Sequence, residues 1–257
     1  GGVLCRCTGY RKIIQAVMQA GASLPVAPAD DGHSGAAIPR LDGAGKVAGT
    51  EAYGDDVAPM GTLEILLVGA PYPRAGFTLG DIESWHSANP GVVAVLTAAD
   101  VPGRNRFGVM PGFEDQPVFA ETETRFRGEP VAAIVAPPDV AATLDLTLFP
   151  VTWTRLDAVE DVADATAPGA PLLHPDRAGN VMVTGFVACG DAEAALAASD
   201  VVVEGRYATP FVEHAYIEPE AGYAYLDGDK VVVHACTQAP VLDRDGLQMV
   251  LGFGPDR

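Results

Sequence analysis

The feature that most constrains this chain is Cys5-Arg6-Cys7-Thr8-Gly9-Tyr10, which runs straight into an apolar-periodic segment. Two cysteines one residue apart put both thiolates on the same side of a tight turn, where they can reach one iron. Ile13, Ile14, Val17 and Met18 then fall on one face at helical spacing, with Thr8 placed as the N-cap of a helix from about Gly9 to Ala20. The helix N-terminus and the Arg6 cation both favour negative charge beside them, which suits thiolates. Taken alone, a C-x-C string is more often a chance pair or two reduced structural thiols.

Charge narrows the partners. Sixteen Lys and Arg against 34 Asp and Glu give a formal net charge of −18 over 257 residues. That balance argues against nucleic acid and against an anionic membrane surface, and a solvated acidic surface accounts for it. Hydrophobic residues make up 48% of the chain, enough for a sizeable core. The apolar runs at 92–97 and 131–136 have the length of strands and fall far short of a membrane span. Four cysteines, two of them in the C-x-C, do not make a disulfide framework. A reducing, cytoplasmic location is expected. The periplasm is the alternative, because any targeting signal would precede residue 1.

Gly21 and Pro25 stop the first helix. Residues 22–45, rich in Ala, Gly, Pro and Asp and without periodicity, read as a linker. From residue 46 the pattern is α+β. Strands are expected at 63–68, 92–97 and 131–136, and a helix at 81–88 closed by Asn89-Pro90-Gly91. A shortened helix from Asp139 should lead, after Pro150, into an edge or entry strand at 151–153. Residues 157–180 read as a connector. Asp191 can cap a helix through 198, and 201–207 read as a strand. Asp227-Gly228-Asp229 signals a hairpin between 221–225 and 231–235, and 241–251 form a helix closed by Gly252. Trp85 and Trp153 are expected in the core. His33, His86 and His234 have no ligand-like spacing.

Glu213, His214, Glu218 and Glu220 admit a metal site of nitrogen and carboxylate ligands. The commoner reading is polar side chains that fix a loop by hydrogen bonds.

Several strings together resemble one family. Leu4-Cys5-Arg6-Cys7-Thr8-Gly9-Tyr10-Arg11, with Ile14 and Ala16-Val17, resembles the second half of the helical 2Fe–2S domain of the molybdenum hydroxylases, the family of xanthine dehydrogenase and aldehyde oxidoreductase. Lys46–Thr50, Tyr53-Gly54-Asp55-Asp56, Pro90–Thr97 and Gly128-Glu129-Pro130-Val131-Ala132 resemble its hammerhead domain. Glu213-His214 with Ile217-Glu218-Pro219 resembles its first molybdenum-cofactor segment, and Cys236-Thr237-Gln238-Ala239-Pro240 a turn lining the same cofactor.

The resemblance implies an α+β fold divided into the end of a 2Fe–2S domain (1–21), a linker (22–45), a hammerhead domain (46–165) and the start of a molybdopterin-binding domain (166–257), with no flavin domain between. It implies that Cys5 and Cys7 ligate a 2Fe–2S cluster whose other cysteine pair would lie upstream. It implies that Val212, His214, Thr237 and Gln238 border molybdopterin. Val212 stands where several relatives carry a hydrogen-bonding glutamine, so that contact is unmade or supplied by another group. Gly252-Phe253-Gly254 matches a phrase that precedes the family's glycine loop, so no catalytic residue is assigned within the chain.

The implied activity of a longer parent is hydroxylation of an aldehyde or a purine-like N-heterocycle with oxygen from water. Electrons would leave through 2Fe–2S clusters to an acceptor protein or small molecule, and a homodimer is compatible with this. The chain alone is expected to be inactive. The alternatives are a non-catalytic electron-transfer or assembly module and an inactive partial gene product.

Overall fold

The structure, a computed structural model, describes residues 10–22, 34, 40–110, 112–210, 213, 216 and 218–257. It falls into two compact units, Gly1–Ala52 and Tyr53–Arg257.

In the first unit, helix α1 covers Arg11–Met18. The expected helix therefore forms, but its described start is Tyr10, held at φ 55, with no side-chain cap. Thr8, expected as the cap, lies outside the described residues, as do Cys5 and Cys7. The apolar face at Ile13, Ile14, Val17 and Met18 is exposed. Helix α2, Gly43–Ala48, forms across the expected linker boundary. Asp42 precedes it and pairs with Arg40 and with Lys46, the latter at 2.8 Å. Hydrogen bonds from these two cations hold the Asp42 carboxyl well below the usual carboxylate range.

The second unit opens with β1, Glu64–Gly69, and β2, Ala75–Leu79. Helix α3, Ile82–Ala88, is capped by Asp81, whose carboxylate accepts from Ser84 N at 2.9 Å and Ser84 Oγ at 2.7 Å. Strands β3 (Ala94–Thr97), β4 (Glu123–Thr124) and β5 (Pro130–Ala136) follow, then α4 (Pro138–Ala141) and β6 (Val151–Arg155). One sheet has the order β1-β5-β3 and the other β4-β2-β6, both antiparallel. The strand entered through Pro150 is an edge strand, as a residue without a backbone N–H demands.

Strand β5 is central because its sequence is apolar on both faces. Val131, Ala132, Ile134 and Ala136 are all fully buried. They anchor a core with Val68, Val92 and Phe149, against which Trp85 and Trp153 pack. Trp85 meets Phe149 edge-on at 5.2 Å, and Trp153 tilts against Phe77 at 5.6 Å. The ladder between β1 and β5 slips at Gly69, where an added Cβ would lie 2.8 Å from Gly128 O. Only glycine permits that approach.

The connector contains a short helix, α5 (Val162–Thr166), and is stitched by Asn180. Asn180 adopts φ 56, accepts from Leu173 N at 2.9 Å, and donates to Ala165 O and Pro171 O. Beyond it, α6 (Ala192–Ala197) is capped by Asp191 as expected. Residues 201–207 are not the expected strand. Valine runs favour strands only when a neighbour supplies ladder hydrogen bonds. Among the described residues this run has none, and Val201, Val203 and Tyr207 are largely exposed. Strands β7 (Gly222–Asp227) and β8 (Lys230–Ala235) make the expected hairpin, and α7 (Pro240–Leu251) ends at Gly252. Among the described residues no helix is long and apolar enough to cross a membrane.

Candidate functional site

The hairpin brings the two candidate cofactor segments to one end. Its register pairs Gly222 with Ala235. Carried two residues outward, that register brings Glu220 to the level of Thr237, beside Cys236. The contact is made through side chains. Glu220 Oε1 accepts from Tyr216 Oη at 2.5 Å, and Oε2 accepts from Cys236 Sγ at 3.6 Å. The hydrogen bond to this carboxylate, with burial and the Glu220 and Glu213 charges, pushes the Tyr216 hydroxyl up to about 12. Burial, and then the charge of Glu220, pushes the Cys236 thiol up. Both donors therefore keep their protons at neutral pH.

Thr237 and Gln238 lie between β8 and α7 and have different employments. Thr237 Oγ1 accepts from Ala239 N at 2.9 Å and donates to the Asp243 carboxylate one turn into α7. It ties the turn to the first part of α7, and its hydroxyl is committed. Gln238 is exposed, and its amide makes no hydrogen bond among the described residues. An uncommitted carboxamide offers two donors and an acceptor together, which fits the edge of a pterin ring. The fit of the described residues to that cofactor rests on Gln238. Val212 and His214, the other candidate neighbours, lie outside the described residues. So does part of the alternative metal set, and among the described residues no three His, Cys, Asp or Glu side chains could hold a metal ion.

The hammerhead-like region meets this part of the chain at several places among the described residues, including Gly54 against the Ala221 backbone. Gly103 N donates to Val250 O and Arg104 N to Met249 O, both at 2.9 Å, so the 101–106 loop closes the last turn of α7. Arg125 Nε donates to Leu173 O at 2.9 Å, while Arg177 lies over the Phe113 ring at 4.5 Å and reaches Asp115 at 3.4 Å. The docking of the loop on α7 and the Glu220 clasp were not expected from sequence. The clasp had a readable signal, since a two-residue turn at Gly228-Asp229 sets the register that carries Glu220 toward Cys236. The loop contact had none.

Comparison with known proteins agrees with this layout. The aldehyde oxidase and xanthine dehydrogenase a/b hammerhead domain matches residues 48–157, and the molybdopterin cofactor-binding domain matches residues 173–257. A probable xanthine dehydrogenase subunit from Bacillus subtilis is 36% identical over 85% of this chain and 29% of its own length. The aldehyde oxidoreductase of Megalodesulfovibrio gigas is 30% identical over 98% of this chain and 30% of its own. The solved aldehyde oxidoreductase from Desulfovibrio gigas superposes with a TM-score of 0.74 at 29% identity, over 98% of this chain and 30% of that one. The chain thus spans about 30% of the length of the relatives it matches. With both domains present in this order, the chain belongs to the molybdenum hydroxylases, the family of aldehyde oxidase and xanthine dehydrogenase.

Proposed function

We propose that this chain is the hammerhead and cofactor-binding portion of an enzyme that hydroxylates an aldehyde or an N-heterocycle. In that reaction the substrate C–H bond is replaced by a C–O bond to oxygen from water, and substrate and water together give up two electrons and two protons. The bound molybdenum cofactor supplies the oxidising centre. The observation that carries the reading is Gln238, an exposed and uncommitted amide at the mouth of α7 within the matched cofactor-binding region. Gln238 would hold the pterin edge by its amide, while Thr237 keeps the helix end rigid beneath it. The aldehyde and purine alternatives both stand on the names of the relatives, an aldehyde oxidoreductase and a probable xanthine dehydrogenase.

Further parts belong to the proposal. Cys5 and Cys7 ligate a 2Fe–2S cluster, supported by their spacing immediately ahead of α1 and by the usual thiolate ligation of such clusters. Val212 and His214 border the cofactor. The chain divides at 1–21, 22–45, 46–165 and 166–257. The electron acceptor is a protein or small molecule, the working form is a homodimer, and the compartment is the reducing cytoplasm.

The test uses the protein isolated from its native source. It should contain molybdopterin and show 2Fe–2S signals in electron paramagnetic resonance. Cys5→Ser and Cys7→Ser should each remove or strongly perturb one cluster signal and leave molybdenum bound, whereas Cys189→Ser and Cys236→Ser keep the cluster signals. Unchanged cluster spectra in both Cys5 and Cys7 variants would refute the iron–sulfur assignment. Isolation without molybdopterin would refute the cofactor assignment.

A further inference from the structure

Glu220 joins two segments that the backbone ladder does not. The described ladder of the β7–β8 hairpin starts at Gly222 and Ala235, and beyond it the two sides are joined through side chains, the Cys236 sulfur meeting the Ala221 backbone as well as Glu220. Glu220 extends the pairing outward with its two carboxylate oxygens. One takes the Tyr216 hydroxyl, from the segment that precedes β7, and the other takes the Cys236 thiol, from the end of β8. Gln238 follows two residues after Cys236, and the intervening Thr237 is tied past it to Ala239 and Asp243. Two side-chain contacts, at Cys236 and at Thr237, thus anchor the turn that carries the uncommitted amide.

We propose that Glu220 is a positioning residue for the molybdopterin site: by holding Tyr216 and Cys236 on one carboxylate, it ties Tyr216 and the 218–220 stretch to the turn that presents Gln238. This rests on the cofactor assignment made above. The side-chain chemistry supports it, since a carboxylate accepts from both donors at once and charge-assisted hydrogen bonds are the stronger kind. Both donors remain protonated at neutral pH, so the clasp is closed under working conditions. A clasp of this type does not touch the reacting atoms. It acts by removing freedom from the group that does, and a misplacement of about 1 Å is enough to be felt in such a site.

The experiment measures molybdopterin content, the molybdenum(V) paramagnetic signature and the melting temperature of the protein isolated from its native source. Glu220→Ala should lower cofactor retention about ten- to hundredfold, the range seen when outer partners of a bound centre are removed. The signature of the remaining cofactor should change, and the melting temperature should stay within about 2 °C. The Tyr216→Phe/Cys236→Ala double variant should match Glu220→Ala, and adding Glu220→Ala to it should cost nothing more, because all three act through one carboxylate. Cys236→Ser keeps a donor and should recover retention relative to Cys236→Ala. If Glu220→Ala fails to fold, the near-isosteric Glu220→Gln and the double variant carry the same test. Full retention with an unchanged signature in the folded Glu220 variants overturns the proposal, as does simple additivity of the three changes. A wild-type protein without molybdopterin overturns the cofactor reading itself, and with it this role.

Discussion

Replacing Gly103 by alanine should detach the 101–106 loop from α7 and leave the two sheets folded. An added Cβ would overlap Met249 O and lie 2.7 Å from both Gly252 N and Val250 O. All three are backbone atoms of the last helical turn and its cap, so no side-chain rotation relieves the overlap. The loop must withdraw, and with it go the hydrogen bonds from Gly103 N and Arg104 N to the α7 carbonyls. At roughly 0.5–1.5 kcal/mol each, the two bonds are together worth about 1–3 kcal/mol of local docking. The core at Val131, Ile134 and Phe149 is made of other residues and should not register the change. Amide hydrogen exchange measures this directly. Protection at residues 103 and 104 should fall roughly five- to hundredfold, the equivalent of that free energy. Protection along β5 should be unchanged. Wild-type protection at 103–104 in the alanine variant would refute the contact, and loss of protection along β5 would refute the independence of the sheet core.

Ile134→Ala removes a fully buried side chain from the middle of β5 and should cost about 2–5 kcal/mol, read as a lower midpoint in urea denaturation with an unchanged slope. Asp81 gives a pH dependence. The Ser84 backbone and hydroxyl hydrogen bonds hold its folded carboxyl below its ordinary value, so its contribution is fully present above that ordinary value and is lost as pH falls through the lowered one. Asp81→Ala should therefore melt below wild type at neutral pH, and the gap should close in strong acid; a gap that persisted unchanged to the lowest pH would contradict the cap.

Much of the hammerhead-like region was legible in the sequence because local rules and burial agree there. Strand β5 is apolar on both faces and can only be central. The helix expected at 81–88 forms, with Asp81 as its cap and not its first residue, and Asp191, further along the chain, caps α6 as expected. Strand β2 was not legible, although it is the middle strand of the second sheet. Ala75-Gly76-Phe77-Thr78-Leu79 has weak strand preference, and its state is decided by β4 and β6 on either side. Residues 201–207 fail in the opposite sense, with strong strand preference and no partner among the described residues.

The candidate site divides in the same way. The phrases around 213–220 and 236–240, and the Cys5-Arg6-Cys7 string, are covalent facts of the sequence, and they were enough to point to the family. Which polar group is spent and which is available is a matter of distance. Thr237 and Gln238 are neighbours with similar chemistry on paper. Only the tertiary structure commits the Thr237 hydroxyl to Asp243, leaves the Gln238 amide open and brings Glu220 onto Cys236. The physical reason is range: caps and strand runs act over a few residues and can be read along the chain, whereas the loop on α7 joins groups nearly 150 residues apart that local preference does not reach.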